Sequence, residues 1–378
     1  MIKKCFLVVL SVVIILSVFN ADIEASALNV SASSAVVMVA QTGEVLYEKN
    51  AHQRRSMAST TKIMTALLAL ELCDLSEVIT VSEDDLKVEG TSMGLSADDK
   101  ITFEALVYGM LLQSGNDAAN VTASKISGNA ENFAVLMNKR AAEIGMKNTN
   151  FVTPSGLDAE SHYTTAYDMA LLGSVAIQNY DFRKISSQKN ATVYFGNPPQ
   201  KRTITNHNKM LTYYDGCIGL KTGFTKKSGR CLVTAAMRDG VILIVVTLNA
   251  PDDWNDHKIL LDFGFSKINS EEIDVSLPRN INVVGGNDSF LCAVPKDNIY
   301  LSGVDISSDY KIDILLNNFV YAPVKKGDTI GKAICYVKGK RVSEVMLVAD
   351  RSIDKKKNTY INKPFYAKFR DFLKSIFK

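Results

Sequence analysis

The chain is poor in the residues that build metal centres and disulfide frameworks. It has only four histidines and six cysteines in 378 residues, and no pair of histidines has the spacing of a metal motif. Cys5 lies near the start, which leaves five cysteines without a zinc spacing or a Cys-x-x-Cys pair. The sequence therefore predicts no metal, no cofactor, and buried free thiols rather than a disulfide scaffold.

A strong excess of one charge is also absent. The formal net charge is +3, which is too small to argue for nucleic acid as a partner. Hydrophobic residues make up 47% of the chain and charged residues 22%, so the composition is that of a globular protein and not of a disordered one. The length allows two or three domains.

The only long apolar run lies at the N-terminus. Lys3 and Lys4 precede the apolar residues 6–19, and Ala25-Ser26-Ala27 then offers a small-x-small cleavage site. The run is short for a transmembrane helix. We therefore expect residues 1–27 to be a secretory signal peptide and the rest to be exported, with an uncleaved N-terminal anchor as the alternative.

Two β-hairpins with helices between them indicate an α+β domain over residues 28–270. The turns are Gln41-Thr-Gly43 and Arg238-Asp-Gly240, each between two β-rich runs. Helical patterns cover residues 59–73, 101–112, 130–144, 165–177 and 256–263. We predict an antiparallel sheet covered by helices.

The remaining sequence changes character twice. Short β-type runs separated by Gly, Asn, Asp and Ser clusters predict a small all-β domain over residues 271–352. In the tail, residues 353–378, apolar residues share one helical face: Phe365, Phe369, Phe372, Leu373 and Ile376. Four cations flank that face: Lys368, Arg370, Lys374 and Lys378. The pattern predicts a basic amphipathic helix lying in a membrane interface, and docking on the β domain is the alternative.

The stretch Ser59-Thr-Thr-Lys62 supplies a candidate nucleophile and a candidate base. Helical spacing places the lysine amine over the serine hydroxyl. A serine hydroxyl is a weak nucleophile until a base takes its proton, and a lysine can be that base if burial or another cation lowers its pKa. Taken alone the pattern is weak, because Ser-x-x-Lys also begins at Ser186, Ser308 and Ser352.

Two further motifs follow in order. They are Ser114-Gly-Asn116, after the second helical segment, and Lys221-Thr-Gly223, between turn signals. Ser-x-x-Lys, Ser-x-Asn and Lys-Thr-Gly in this order form the signature of penicillin-binding proteins and serine β-lactamases. Copies of the second and third motifs occur at residues 127–129 and 227–229, but the first reads as a helix C-cap and the second lies outside the motif's context.

From the signal peptide to the last helix, the chain resembles the low-molecular-mass D-alanyl-D-alanine carboxypeptidases, serine peptidases of the S11 type. The resemblance implies a β-lactamase/transpeptidase-like domain, a second β-rich domain and an amphipathic C-terminal anchor. It also implies removal of the terminal D-alanine from peptidoglycan stem pentapeptides through an acyl-enzyme, with inhibition by β-lactam antibiotics. The expected location is the outer face of the cell membrane, or the cell wall.

The resemblance implies a role for each residue of the first two motifs. Ser59 attacks the carbonyl between two D-alanines, and Lys62 takes its proton as general base. Ser114 relays a proton between the bases and the leaving amine, since a hydroxyl both donates and accepts. Asn116 holds either the substrate backbone or Lys62.

The third motif is expected to bind substrate. Lys221 adds a second cation that lowers the pKa of the base, and with Thr222 it binds the terminal carboxylate. Gly223 lets the substrate approach the strand closely. By resemblance, the backbone N–H of Phe224 and that of the nucleophile form the oxyanion hole; the family often has histidine after Lys-Thr-Gly. The family's carboxylate-binding arginine has no clear counterpart, and Arg230 is a candidate.

Two other readings of the sequence stay open. A β-lactamase needs fast deacylation, in one subclass through a glutamate, but no Glu-x-x-Leu-Asn segment follows Ser114, and the second domain would be unusual. A non-catalytic wall-binding protein could keep the fold. The complete set of motifs argues against it, because an idle site need not retain both lysines.

Overall fold

The structure is a computed structural model that describes residues 28–273, 277, 280–298, 300–303, 310–337, 339–356 and 365–376. The predicted signal peptide lies outside the described residues. The chain divides into two compact units; the main boundary lies between Ser270 and Glu271, and Ser302 and Gly303 also group with the first unit. The units are described one at a time.

Nine strands and eight helices, counted over residues 28–268, build the first unit. Its strands are β1 (Ser34–Val39), β2 (Val45–Lys49), β3 (Val78–Thr80), β4 (Lys100–Thr102), β5 (Asn190–Gly196), β6 (Pro199–Thr205), β7 (Cys217–Thr225), β8 (Gly229–Arg238) and β9 (Val241–Leu248). Its helices are α1 (Lys62–Leu72), α2 (Phe103–Tyr108), α3 (Asn116–Ser127), α4 (Ala130–Ile144), α5 (Ala166–Gln178), α6 (Tyr180–Ser186), α7 (Met210–Tyr213) and α8 (Asp253–Ser266).

A five-stranded antiparallel sheet forms the centre of this unit, in the order β2-β1-β9-β8-β7. Successive side chains of a strand point to opposite faces, and both faces of β1 are covered. Val36 and Met38 join the core formed with helices α1 to α6. Val37 and Val39 join a second core formed with α8. The α+β class with an antiparallel sheet covered by helices is therefore confirmed, and β7 is left as an edge strand.

The predicted hairpins and several helix bounds are confirmed. β1–β2 and β8–β9 are antiparallel neighbours. Helix α4 has the predicted bounds, because the Asn129 side chain caps its first turn and Gly145 ends it at positive φ. The helix predicted over residues 165–177 is α5, shifted by one residue, because Thr165 is its N-cap; Thr102 caps α2, and each threonine accepts a backbone N–H three residues on.

Other bounds were wrong. A 3-10 turn, Ala58–Thr61, precedes α1, so the α-helix begins at Lys62 and not at Ser59. The predicted helix over residues 101–112 ends at Tyr108 and continues as a wide π turn, Gly109–Gln113. The last helix of the unit starts three residues earlier and ends three later than predicted. The short helix α7, Met210–Tyr213, was not among the predicted helices.

The second unit is mostly β structure, as predicted. Its strands, with those at the boundary, are β10 (Asn269–Glu272), β11 (Ile281–Val284), β12 (Phe290–Leu291), β13 (Ala293–Pro295), β14 (Tyr300–Gly303), β15 (Tyr310–Leu316), β16 (Phe319–Tyr321), β17 (Thr329–Val337) and β18 (Lys340–Ala349). They form a two-stranded sheet, β10-β14, a three-stranded sheet, β12-β11-β16, and a four-stranded sheet, β13-β18-β17-β15. A last helix, α9, spans Phe365–Ile376.

Candidate active site

The turn that carries Ser59 is held in a tight conformation. Ala58 has a φ of 47°, a left-handed value that is uncommon for a residue with a side chain. The hydroxyl of Thr61 donates to the carbonyl of Ala58 over 2.8 Å. Gly156, from a neighbouring loop, lies so close that a Cβ there would stand 2.0 Å from the Ala58 carbonyl oxygen. The turn that carries the nucleophile is thus held in place by a contact with a loop that is distant in sequence.

His162 also holds this turn in place. Its Nδ1 accepts the backbone N–H of Val152 at 2.9 Å, so the ring proton lies on Nε2, which donates to the Thr61 hydroxyl at 2.9 Å. Burial is the main reason that the pKa of His162 is lowered to about 4. The ring is neutral near pH 7 and fixes the orientation of the Thr61 hydroxyl.

Lys62 is buried with its amine among three oxygen atoms. Nζ lies 2.6 Å from Asn116 Oδ1, 2.6 Å from the carbonyl oxygen of Ser155 and 3.0 Å from Ser59 Oγ. The first two can only accept, because Asn116 uses its NH₂ to donate to the carbonyl of Glu89. A neutral amine with two N–H groups on these acceptors directs its lone pair at Ser59 Oγ. The arrangement therefore suits proton transfer from the serine to the lysine.

The electrostatics favour that neutral form. Burial lowers the pKa of Lys62 well below its usual value, and the positive charge of Lys221 lowers it further. Asp117 opposes both effects, but its carboxylate is engaged by four backbone N–H groups, those of Met93, Gly94, Leu95 and Ala118. The second lysine thus acts on the first as the sequence predicted.

The edge strand β7 brings the third motif beside the nucleophile. Lys221 is buried, donates to the Thr222 carbonyl at 2.9 Å, and has its pKa lowered by burial to about 7. A Cβ on Gly223 would lie 3.1 Å from the backbone nitrogens of Ser59 and Thr60. A side chain here would press against the turn, and the glycine lets the strand run this close to it.

Ser114 reaches the site through the π turn. That turn ends with Ser114 in the left-handed conformation, at a φ of 64°, and α3 then starts at Asn116. The Ser114 side chain is buried, and within the described residues its hydroxyl makes no hydrogen bond. After the π turn, Ser114 lines the cleft described below, and Asn116 Oδ1 lies 2.6 Å from Lys62 Nζ.

Ser59, Ser114 and Gly223 open onto one cleft of about 290 Å³. It is lined by Ser59, Thr91, Ser114, His207, Thr222, Gly223, Phe224, Arg230, Asp253 and Trp254. The Phe224 side chain is 65% exposed, and burial lowers the pKa of His207, with Lys221 adding to the effect. Among the described residues, no group of three His, Cys, Asp or Glu side chains is arranged to hold a metal ion.

Arg230 lies at the rim of the cleft, where its guanidinium can bind an anionic group. Its register partner across β7–β8 is Phe224. Its Nε and a terminal nitrogen lie 2.9 and 2.7 Å from Asp253 Oδ1, and its guanidinium lies 5.4 Å from the centre of the Trp254 ring. Asp253 is almost fully buried while Arg230 is 40% exposed, so the pair fixes a guanidinium whose other N–H groups remain available to a ligand.

The structure thus brings together every residue that the three motifs predicted. Sequence reasoning missed the partners that orient them, such as Ser155, His162 and Asp253. The copies of the motifs have other places. Gly128 ends α3 at positive φ and Asn129 caps α4, while Lys227 and Ser228 lie in the β7–β8 turn and Gly229 begins β8. Cys231 and Cys335 are buried free thiols, as predicted, whereas Cys73, Cys217 and Cys292 are only partly buried.

Comparisons with known proteins agree with this geometry. Residues 21–252 match the profile of the D-alanyl-D-alanine carboxypeptidase family, Peptidase S11. Residues 272–355 match that of the C-terminal domain of penicillin-binding protein 5. Over 340 residues, 86% of each chain, the sequence is 32% identical to D-alanyl-D-alanine carboxypeptidase DacF of Bacillus subtilis.

Solved structures give the same result. The D-alanyl-D-alanine carboxypeptidase DacD of Francisella tularensis is 26% identical, with a TM-score of 0.61 over 89% of this chain and 97% of that one. The Streptomyces K15 DD-transpeptidase is 31% identical, with a TM-score of 0.60 over 63% of this chain and 98% of that one.

Proposed function

Because the chain belongs to the D-alanyl-D-alanine carboxypeptidase family of serine peptidases, we propose that it removes the terminal D-alanine from peptidoglycan stem pentapeptides through an acyl-enzyme on Ser59. The activity class is that of a serine-type D-Ala-D-Ala carboxypeptidase, a hydrolase. The family acts on peptidoglycan peptides and binds β-lactams. The assignment of each step to a residue is our proposal.

In the acylation step, Ser59 Oγ attacks the carbonyl carbon between the two D-alanines, and its proton passes to Lys62 Nζ. The backbone N–H groups of Ser59 and Phe224 stabilise the resulting oxyanion; one such donor contributes roughly 2.7–4 kcal/mol. Ser114 passes a proton to the departing D-alanine amine, since its hydroxyl can donate and accept at once. Water then hydrolyses the ester, with Lys62 as the base.

The observation that carries this proposal is the environment of the Lys62 amine. Two fixed acceptors, Asn116 Oδ1 and the Ser155 carbonyl, hold it at 2.6 Å each, and its remaining direction faces Ser59 Oγ at 3.0 Å. An ordinary lysine lies at the surface with its usual pKa. Lys62 is instead buried, and both its burial and the charge of Lys221 lower its pKa.

Recognition of the terminal carboxylate is proposed for the other side of the cleft. Lys221 and Thr222 bind it from β7, and the Lys221 ammonium supplies the opposite charge. Arg230 is placed to take the part of the arginine that the family often has near the final hairpin, because its guanidinium lines the same cleft and is oriented by Asp253.

D-alanine release from an acyl-Lys-D-Ala-D-Ala peptide tests the proposal, with wild type beside Ser59→Ala. We expect release from the wild type, none from the variant, and covalent labelling by penicillin in the wild type alone. Labelling that survives in Ser59→Ala would mean that another residue is the nucleophile. A folded wild type that takes up penicillin but releases no D-alanine would point to transpeptidation or a stricter substrate.

We further propose that the protein is exported and held on the outer face of the membrane by α9. Residues 1–27 have the layout of a cleavable signal peptide. In α9 the exposed side chains Phe369, Phe372, Leu373 and Ile376 are spaced to share a face. In the ranges covered by the structure, no helix has the length and apolar character to cross a bilayer, whereas an amphipathic helix lies along the surface.

A further inference from the structure

A separate polar cleft of about 380 Å³ lies where the 3-10 turn Asp84–Leu86 packs against helix α3. It is lined by Ser82, Asp84, Asp85, Asn120, Ser124, Gly128, Asn129 and Ala130. None of these residues lines the cleft of the candidate active site. Two segments that are distant in sequence therefore supply its walls, and most of the side chains in those walls carry oxygen atoms.

Asp85 is the buried charged residue of this cleft. It is only 8% exposed, and its Oδ2 is shielded from solvent without a hydrogen-bond partner. Among the described residues, its carboxylate makes neither a hydrogen bond nor an ion pair. Buried carboxylates in proteins are nearly always paired, hydrogen-bonded or bound to a metal ion. The cleft that Asp85 lines is therefore where we expect such a partner.

The lysines that are closest in sequence do not supply the missing charge. Lys87 pairs with Asp84, the exposed carboxylate of the cleft, at 2.6 Å. Lys125 follows Ser124 on α3, but it is exposed and does not line the cleft. Within the described part of the chain, no lysine, arginine or histidine forms an ion pair with Asp85. A bound ion can supply the charge that these side chains do not.

Neutral oxygen atoms on α3 complete a set of cation ligands. Asn120 and Ser124 are four residues apart, so their side chains share one face of the helix, and both line the cleft. Neither side chain makes a hydrogen bond in the part of the chain that the structure describes. Ca²⁺ binds carboxylate and amide oxygens together with water in a flexible geometry, whereas Mg²⁺ demands a nearly ideal octahedron. The volume of about 380 Å³ has room for an ion and several waters.

We propose that this cleft binds one calcium ion, with the Asp85 carboxylate as the charged ligand and the side-chain oxygens of Asn120 and Ser124, with water, as neutral ligands. Asp84 adds negative charge at the rim. The ion offsets the charge of Asp85 and ties the 3-10 turn to α3. A set with so few protein ligands gives weak binding, with a Kd of about 10⁻⁴–10⁻³ M, as in extracellular modules.

The spacing of histidines and cysteines does not reveal a site of this kind, because its ligands are oxygen atoms from two distant segments. It also differs from a group of three histidine, cysteine or acidic ligands, which the described residues do not contain. The inference goes beyond the proposed function and does not depend on it.

Thermal unfolding of the chain 28–378, freed of metal with a chelating resin, tests the proposal. About 10 mM calcium chloride should raise the melting temperature of the wild type by about 2–4 °C, and sodium chloride of the same ionic strength should not. Calorimetric titration should show one calcium-binding event. Glu83→Gln is the matched control, because Glu83 is exposed beside the same turn and does not line the cleft; it should respond to calcium as the wild type does.

Asp85→Asn gives the decisive comparison, with penicillin labelling as the check that the protein is folded. Without calcium, this variant should melt at or above the temperature of the wild type, because it lacks an unpaired buried charge. With calcium, it should melt below the wild type, and calorimetry should detect no binding. Asn120→Ala with Ser124→Ala keeps the carboxylate and should weaken calcium binding several-fold.

Three results would overturn the inference. One is a wild type whose melting temperature calcium does not raise beyond the effect of ionic strength, and another is a calcium response that Asp85→Asn retains. The third is an Asp85→Asn variant that melts below the wild type by the same amount in both buffers, because Asp85 would then be held by water or protein contacts alone. None of these results bears on D-alanine release, so the proposed function is tested separately.

Discussion

Lys62 and Lys221 are two buried lysines that need opposite protonation states. Lys62 can accept a proton from Ser59 only as a neutral amine, whereas Lys221 attracts a carboxylate only as a cation. Burial lowers the pKa of both, and the positive charge of Lys221 lowers that of Lys62 further. The site therefore works in a pH range in which one lysine carries the proton and the other does not.

The rate of penicillin acylation should fall on both the acid and the alkaline side of this pH range. Towards acid pH the rate falls as Lys62 gains a proton and loses its basicity. Towards alkaline pH it falls near the Lys221 pKa of about 7, because a neutral amine no longer attracts the carboxylate. In Lys221→Arg the guanidinium stays charged, so the alkaline limb should move up by more than one pH unit while the acid limb stays. An unchanged alkaline limb would assign it to another group.

Arg230 should contribute to carboxylate recognition. Arg230→Ala is expected to lower kcat/KM for a peptide with a free terminal carboxylate by about 10- to 100-fold, the range of a charge-assisted hydrogen bond. The same peptide as a C-terminal amide should lose little. Arg230→Lys should recover only part of the loss, because an ammonium lacks the planar fork. Equal losses with the carboxylate and the amide would show that Arg230 acts only through Asp253 and Trp254.

At the scale of elements, the turn before α1 depends on the loop around Gly156. Gly156 and Gly128 have nearly equal φ values, +83° and +85°, but a Cβ meets the Ala58 carbonyl at the first position and open space at the second. Both Gly→Ala changes carry the cost of positive φ, roughly 1 kcal/mol. Only Gly156→Ala must also move the Ser59 turn.

Gly156→Ala should therefore slow penicillin acylation by at least tenfold at a temperature where the protein is folded. Gly128→Ala is the control and should lower only the melting temperature. The two readouts are the acylation rate constant and thermal unfolding, measured on the same preparations. Equal acylation rates in the two variants would mean that the turn keeps its shape without the close contact.

The sequence predicted an element correctly where the residues that fix its ends are its neighbours in the chain. Helix α4 is capped by its own neighbours, Asn129 and Gly145, so its bounds could be read locally. The turn at Ser59 is shaped by Gly156 and His162, about a hundred residues further along the chain. The residues next to Ser59 predict only a regular helix start.

The candidate site was also predictable from the sequence only in part. Side-chain chemistry is visible in a sequence, and the three motifs therefore predicted the serines, the lysines and Asn116. Two oxygens that orient the site, those of Ser155 and Glu89, are backbone carbonyls. Any residue type supplies such an oxygen, so only the fold reveals them.

At the scale of the whole molecule, every residue of the candidate site belongs to the first unit, and the amphipathic face lies at the other end of the chain. Arg370 and Lys374 are exposed on α9 together with its apolar side chains. A helix of this composition gains from burying apolar area and from attraction to anionic lipids, about 1 kcal/mol for each cation near the surface.

Removing residues 359–378 should therefore release the protein from anionic vesicles. We expect the chain 28–378 to co-sediment with vesicles that contain phosphatidylglycerol, and the chain 28–358 to stay in the supernatant with equal penicillin labelling. Phe369→Ser with Phe372→Ser, in the full chain, should weaken binding at all salt concentrations, because it removes apolar contact and not charge. Raising the salt should weaken the wild type only in part, since apolar burial is not screened. Equal sedimentation of the long and short chains would mean that α9 is not the anchor.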